Sequence, residues 1–91
     1  MLYHILCTDK PGHLQTRRDN REAHLAYINT LGETLFTAGP LLNDRDEMVG
    51  SVLIIDFDSD DIAQAFCADD PYALAGLFET VKITRWRKTL P

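Results

Sequence analysis

From Met1 to Cys7 the chain alternates between two faces. Tyr3, Ile5 and Cys7 fall on one, Leu2, His4 and Leu6 on the other. Aromatic and β-branched residues in a two-residue rhythm predict a strand, closed by Pro11-Gly12. A loop from Asp9 to Leu14 follows, and Thr16, with Asp19 behind it, is the expected helix N-cap. The rhythm then changes to steps of four and three. Arg17, Arg21, His24, Ile28 and Leu31 fall within a fan of about 80° on a helix, so one stripe runs to Leu31, and Gly32 stops it.

The second half repeats this grammar. Leu35 to Leu42 reads as a strand, and Gly39-Pro40 within it point to an edge or a bulge. Val49 to Phe57 reads as a third strand. Its centre, Val52-Leu53-Ile54-Ile55, is apolar on both faces, as in a strand covered on two sides. Ser59 caps a second helix with Asp60 and Asp61 in its first turn, where acidic side chains favour the helix dipole. Its inward stripe is Ile62 and Phe66, continued by Asp70, and Pro71 ends the helix there. Tyr72 to Gly76 is a connector, and Phe78 to Arg87 is the last strand. The order β-α-β-β-α-β predicts an α+β, ferredoxin-like domain with a four-stranded antiparallel sheet.

Two helices cover one face of such a sheet only. The doubly apolar third strand therefore asks for a second cover, and the same face of another copy is the simplest one, giving a two-fold homodimer. Size agrees. At 91 residues the chain is one domain, and one this small buries only about 60–65% of its unfolded surface.

Composition narrows the function classes. The net charge of −5 argues against nucleic acid and, more weakly, against anionic membranes. No apolar run is long enough for a transmembrane helix, and Met1 to Cys7 lacks the basic start of a signal peptide. The two cysteines, Cys7 and Cys67, form no CxxC pair and read as small buried hydrophobes, with the cytosol as the expected compartment. His4, His13 and His24 lack metal-ligand spacing, and no nucleotide-binding fingerprint occurs, so neither metal nor cofactor is expected.

The candidate chemistry lies on the first helix stripe, which turns basic and titratable towards its start. His24 and Asp70 are 46 residues apart, but both helices begin at the same end of the sheet. At 1.5 Å of rise per residue the two side chains reach similar heights. A carboxylate against one imidazole nitrogen fixes the tautomer and makes the other nitrogen the better base. The plainer reading is that His24 packs and Asp70 ends a helix. Arg17 and Arg21, two turns and one turn before His24, are candidates to hold a carboxylate or phenolate, or else form a solvated helix face. Ser51 offers a hydroxyl to the cleft or to backbone, and Tyr72 an aromatic wall or a hydroxyl.

An ordered set of short motifs resembles the YCII-related (YciI-like) family. The set is Arg21-Glu22-Ala23-His24-Leu25 with Tyr27, Gly39-Pro40, Gly50-Ser51, Asp69-Asp70-Pro71-Tyr72, and Ala75-Gly76-Leu77-Phe78 with Val81. The resemblance implies a dimeric α+β barrel with a cleft centred on a histidine–aspartate pair, here His24 and Asp70. It also implies a motif serine, Ser51, beside that pair, and a basic residue at Arg17 or Arg21. Its relatives isomerise muconolactones or remove chloride from a chlorinated hydroxyhydroquinone. The functional expectation is therefore general acid/base chemistry of a lyase, isomerase or dehydrochlorinase kind on a small aromatic or anionic molecule. The alternative is a non-catalytic ligand-binding or accessory dimerisation domain.

Overall fold

The computed structural model describes all residues, 1–91. Strand β1 (Leu2–Asp9) leads to helix α1 (Leu14–Asn29) and a single 3-10 turn (Gly32–Thr34). Strands β2 (Leu35–Leu42) and β3 (Met48–Asp56) form a hairpin. Helix α2 (Asp60–Ala68), a short helix α3 (Pro71–Leu74) and strand β4 (Phe78–Trp86) complete the chain. The sheet order is β2-β3-β1-β4 and every pairing is antiparallel, which is the ferredoxin-like arrangement expected.

Strand parity decides which residues form the core. Tyr3, Ile5 and Cys7 of β1 lie beside Ile55, Leu53 and Ser51 of β3, all turned to the helices. Ile28 of α1 and Ala63 of α2 close over them. The opposite face carries Leu2, His4 and Leu6 beside Asp56, Ile54 and Val52, and no helix covers it. Gly50 permits close strand approach, because a Cβ there would stand 2.5 Å from the Cys7 carbonyl oxygen.

Four local expectations are corrected. Helix α1 begins before Thr16, at Leu14, and His13 makes no side-chain cap. Thr16 instead lies inside the helix, where its carbonyl accepts from the Asn20 side chain. The helix ends at Asn29, two residues before Leu31, and Gly32 adopts φ +57° in the turn that follows. On α2, Ile62 is about half exposed and the smaller Ala63 is fully buried, because a methyl group lets the helix sit close to the sheet. The connector after Pro71 is itself a helical turn. The Ser59 cap forms as expected, its Oγ accepting from the Ile62 N–H at 3.2 Å. Strand β2, with its Gly39-Pro40, is an edge strand, as expected.

Candidate functional site

The site begins where β1 runs into the loop before α1. Asp9, at the end of β1, keeps the parity of Tyr3, Ile5 and Cys7 and so points under the first turns of α1. Arg17 meets it there. Its Nε–H donates to Asp9 Oδ2 at 2.7 Å, and Nη2 donates to Asp9 Oδ1 at 2.9 Å and to Ser51 Oγ at 3.0 Å. This is a two-pronged arginine–carboxylate pair, removed from water on both sides. Burial alone would lower the affinity of Arg17 for its proton. The hydrogen bonds and charge of Asp9 outweigh that and raise it, so the cation persists.

Two turns further on, His24 is also buried, at 8% exposure. Its Nδ1 lies 2.9 Å and 3.0 Å from the two Asp70 carboxylate oxygens. Asp70 reaches it because of Pro71. A residue before proline is pushed to extended geometry, and Asp70 adopts ψ 130°. Proline then occupies the first position of α3, where no N–H is needed. The Asp70 carboxylate caps that helix, accepting the Tyr72 N–H at 2.9 Å. One side chain thus starts α3 and holds the imidazole.

Tyr72 is the third element. Its ring stacks on the imidazole at a centroid distance of 3.9 Å and an interplanar angle of 12°. The Arg17 guanidinium carbon lies 4.6 Å from the same ring centroid. Burial raises the phenol's pKa, and the charges of Arg17 and Arg21 pull it part of the way back. The phenol therefore stays protonated at neutral pH.

These groups line a cleft of about 190 Å³ between α1, α3 and the β2–β3 hairpin. Arg17, Arg21, His24, Ser51 and Tyr72 form its polar wall, and Leu25, Ile28, Met48 and Leu53 much of the apolar one. All six candidate residues are accounted for here, with Asp70 directly behind His24. Within the set, Arg17 and Arg21 differ. Arg17 is engaged by Asp9 and Ser51, whereas Arg21 is exposed and makes no hydrogen bond or ion pair. His24 Nε2 also has no protein partner. Every fully enclosed side-chain nitrogen or oxygen does have one, so Nε2 is open to the cleft. An imidazole with one nitrogen engaged and the other free, beside an unneutralised cation, can exchange a proton with a bound anion. A cavity of about 150 Å³ holds benzene, so this cleft suits a one-ring molecule.

Sequence reasoning missed Asp9, because the strand was expected to stop at Cys7. The parity that exposed the core would have found it. The thiols take no part in the cleft. Burial pushes Cys7 up to about 12 and Cys67 up to about 11, so both are protonated and unreactive near neutrality. A wider groove of about 450 Å³ over Cys67, Val81 and Ile83 is mainly apolar. No group of three or more His, Cys, Asp or Glu side chains comes together as metal ligands do. No helix is long and apolar enough to cross a membrane.

Comparison with known proteins places the fold among solved relatives. A solved 5-chloro-2-hydroxyhydroquinone dehydrochlorinase from Burkholderia phenoliruptrix AC1100, in complex with 2,5-dihydroxybenzoquinone, superposes with a TM-score of 0.91. It is 39% identical, and the match covers 98% of this chain and 96% of that one. A Bacteroides protein described as a putative antibiotic biosynthesis monooxygenase shares the fold alone, with a TM-score of 0.61 at 9% identity over all of this chain and 90% of that one. Protein YciI of Escherichia coli O6:H1 is 38% identical over 97% of this chain and 98% of its own length. The model of the YCII-related domain matches residues 1–87, and the chain belongs to that family.

Proposed function

We propose that this protein is a small-molecule acid/base enzyme in which His24 moves the proton. The observation that carries the reading is the division of labour on one imidazole. Nδ1 is held by Asp70, and Nε2 is unpartnered at a cleft of one-ring size. In the step we envisage, the Nε2 lone pair takes a proton from a C–H or O–H of the bound molecule. The resulting imidazolium is stabilised by the Asp70 carboxylate at Nδ1–H. Nε2 then returns the proton to a different atom, which isomerises the molecule, or releases it as a leaving group departs. Arg21, one helical turn before His24, supplies the unneutralised charge for an anionic end, and the Tyr72 ring supplies a flat wall. The 39% identical dehydrochlorinase, bound to a dihydroxyquinone, makes hydroxylated rings the first substrates to try, followed by lactones.

A second copy of the chain belongs to the same reading. Only 16 of 91 residues are buried within one copy, which leaves apolar surface for a partner to cover. The uncovered sheet face carries Leu2, Leu6, Val52 and Ile54, flanked by Phe36 and Trp86 with ring centroids 6.4 Å apart. Two such faces packed about a two-fold axis would cover each other. The two unpaired thiols fit a reducing cytosol.

The test is a thermal-shift screen of hydroxyquinones, phenols and lactones, followed by turnover assays on the hits. His24→Ala and Asp70→Asn should each abolish turnover. Unchanged activity in both variants removes the enzyme reading. Binding without turnover by the wild type would make the domain an accessory ligand binder.

A further inference from the structure

The phenol of Tyr72 is a donor without an acceptor. The residue is 1% exposed, yet its hydroxyl donates to no group of the protein. Its surroundings explain why. Arg17 lies against the ring, but a guanidinium only donates. His24 is stacked on the ring, with Nδ1 engaged by Asp70. Asp70 is turned to His24 and to the Tyr72 backbone N–H. Phe78 meets the ring edge-on at 5.9 Å and has no acceptor on its side chain. Every fully enclosed side-chain oxygen or nitrogen in the molecule has a partner. The tyrosine's small remaining accessible area therefore includes its hydroxyl, and the hollow that Tyr72 lines is the cleft.

A buried hydroxyl left unpaired is unfavourable, whereas one that meets a charged or carbonyl oxygen is strongly favourable. We propose that the Tyr72 hydroxyl and Arg21 together recognise an ionised or keto oxygen on the ring of the ligand. This rests on the acid/base reading and specifies its substrate class. The molecule is an oxyanion-bearing or keto-bearing ring, such as a hydroxyquinone or an enolised lactone, rather than a hydrocarbon or a cation. Positive charge from Arg17 and Arg21 around the phenol sharpens that preference.

The experiment titrates 2,5-dihydroxybenzoquinone into wild type and Tyr72→Phe by calorimetry, with melting curves of both free proteins. Phenylalanine keeps the ring stacked on His24 and removes only the hydroxyl. The free variant should melt close to the wild-type temperature, because the hydroxyl proton has no acceptor in the protein and only the approach of Arg17 to the phenolic oxygen is lost. Its affinity for the quinone should fall about ten- to a hundredfold. Affinity within twofold of wild type overturns the inference and leaves the acid/base reading to its own test with His24→Ala. A free variant that melts well below wild type also overturns it, since the hydroxyl would then have its partner inside the protein. A wild type that binds neither this quinone nor any other hydroxylated or keto-bearing ring, lactones included, overturns the inference, and the acid/base reading is still decided by the turnover of His24→Ala and Asp70→Asn.

Discussion

His24 and Asp70 are joined through Nδ1 at 2.9 Å, and the same carboxylate caps the helix that carries Tyr72. Orientation of the imidazole and placement of its aromatic neighbour therefore depend on one side chain. Asparagine remains a good N-cap, so Asp70→Asn should fold, while alanine loses the cap as well and should be less stable than asparagine by about 1 kcal/mol. Without the charge the imidazolium loses its support. Turnover should fall at least about a hundredfold in Asp70→Asn, and similarly in His24→Ala. Nitrogen NMR of the His24 ring gives an independent reading. The wild type should show a proton fixed on Nδ1, and Asp70→Ala should lose that fixed tautomer. A wild-type proton fixed on Nε2 would contradict the proposed base.

Arg17 and Arg21 lie on one helix stripe and should respond to mutation in opposite ways. Arg17→Ala strands a buried Asp9 carboxylate and should destabilise the fold by about 3–5 kcal/mol, read from urea unfolding. A paired Arg17→Met, Asp9→Leu variant removes both charges and should recover most of that loss. Arg21 is exposed and unpaired, so Arg21→Ala should change stability by less than about 0.5 kcal/mol. Binding of anionic rings should weaken in that variant and lose much of its dependence on salt. Equal stability losses in the two single variants would refute the distinction.

The contrast shows how far the sequence could be read. Spacing placed Arg17, His24 and Ile28 on one inward stripe, and all three are buried. Helical spacing alone does not tell a rim arginine from an engaged one. That depended on Asp9, whose role needs β1 to run two residues beyond Cys7. The height of two helices over a common sheet permitted a meeting of His24 and Asp70 without requiring it. The cause of Asp70's position could not be read there, because it lies in Pro71 opening a new helical turn rather than in α2 ending an old one. The stack of Tyr72 on His24 is a tertiary contact between α1 and α3, and no periodicity encodes it.

Alkaline pH should expose the buried thiols as a stability term. An ordinary thiol at 9.0 ionises in the unfolded chain while Cys7, near 12, and Cys67, near 11, stay protonated in the fold. Below pH 9 neither state is ionised and the contribution is fully present. Between about pH 9 and 12 the unfolded chain binds fewer protons, so stability falls as pH rises. At a pH of about 10.5, Cys7 alone should account for a loss of about 2 kcal/mol. Urea midpoints at pH 8.5 and 10.5, compared between wild type and Cys7→Ala, isolate that share, because other titrating groups act in both proteins. An identical pH response in the two would contradict it.

The uncovered sheet face makes a separate demand on assembly. Leu6 and Val52 are cross-strand neighbours on that face and only half buried within one chain. A lysine at Leu6 has room to reach solvent in a single copy, so folding of the monomer should survive. At a two-fold interface the substitution occurs twice, and two desolvated charges then oppose association. Wild type should scatter light with twice the chain mass of 10.3 kDa and melt at a temperature that rises with protein concentration. Leu6→Lys should scatter as a single chain and melt lower, at a temperature independent of concentration. A wild type of single-chain mass at micromolar concentration would rule out the dimer and leave the apolar face needing another partner.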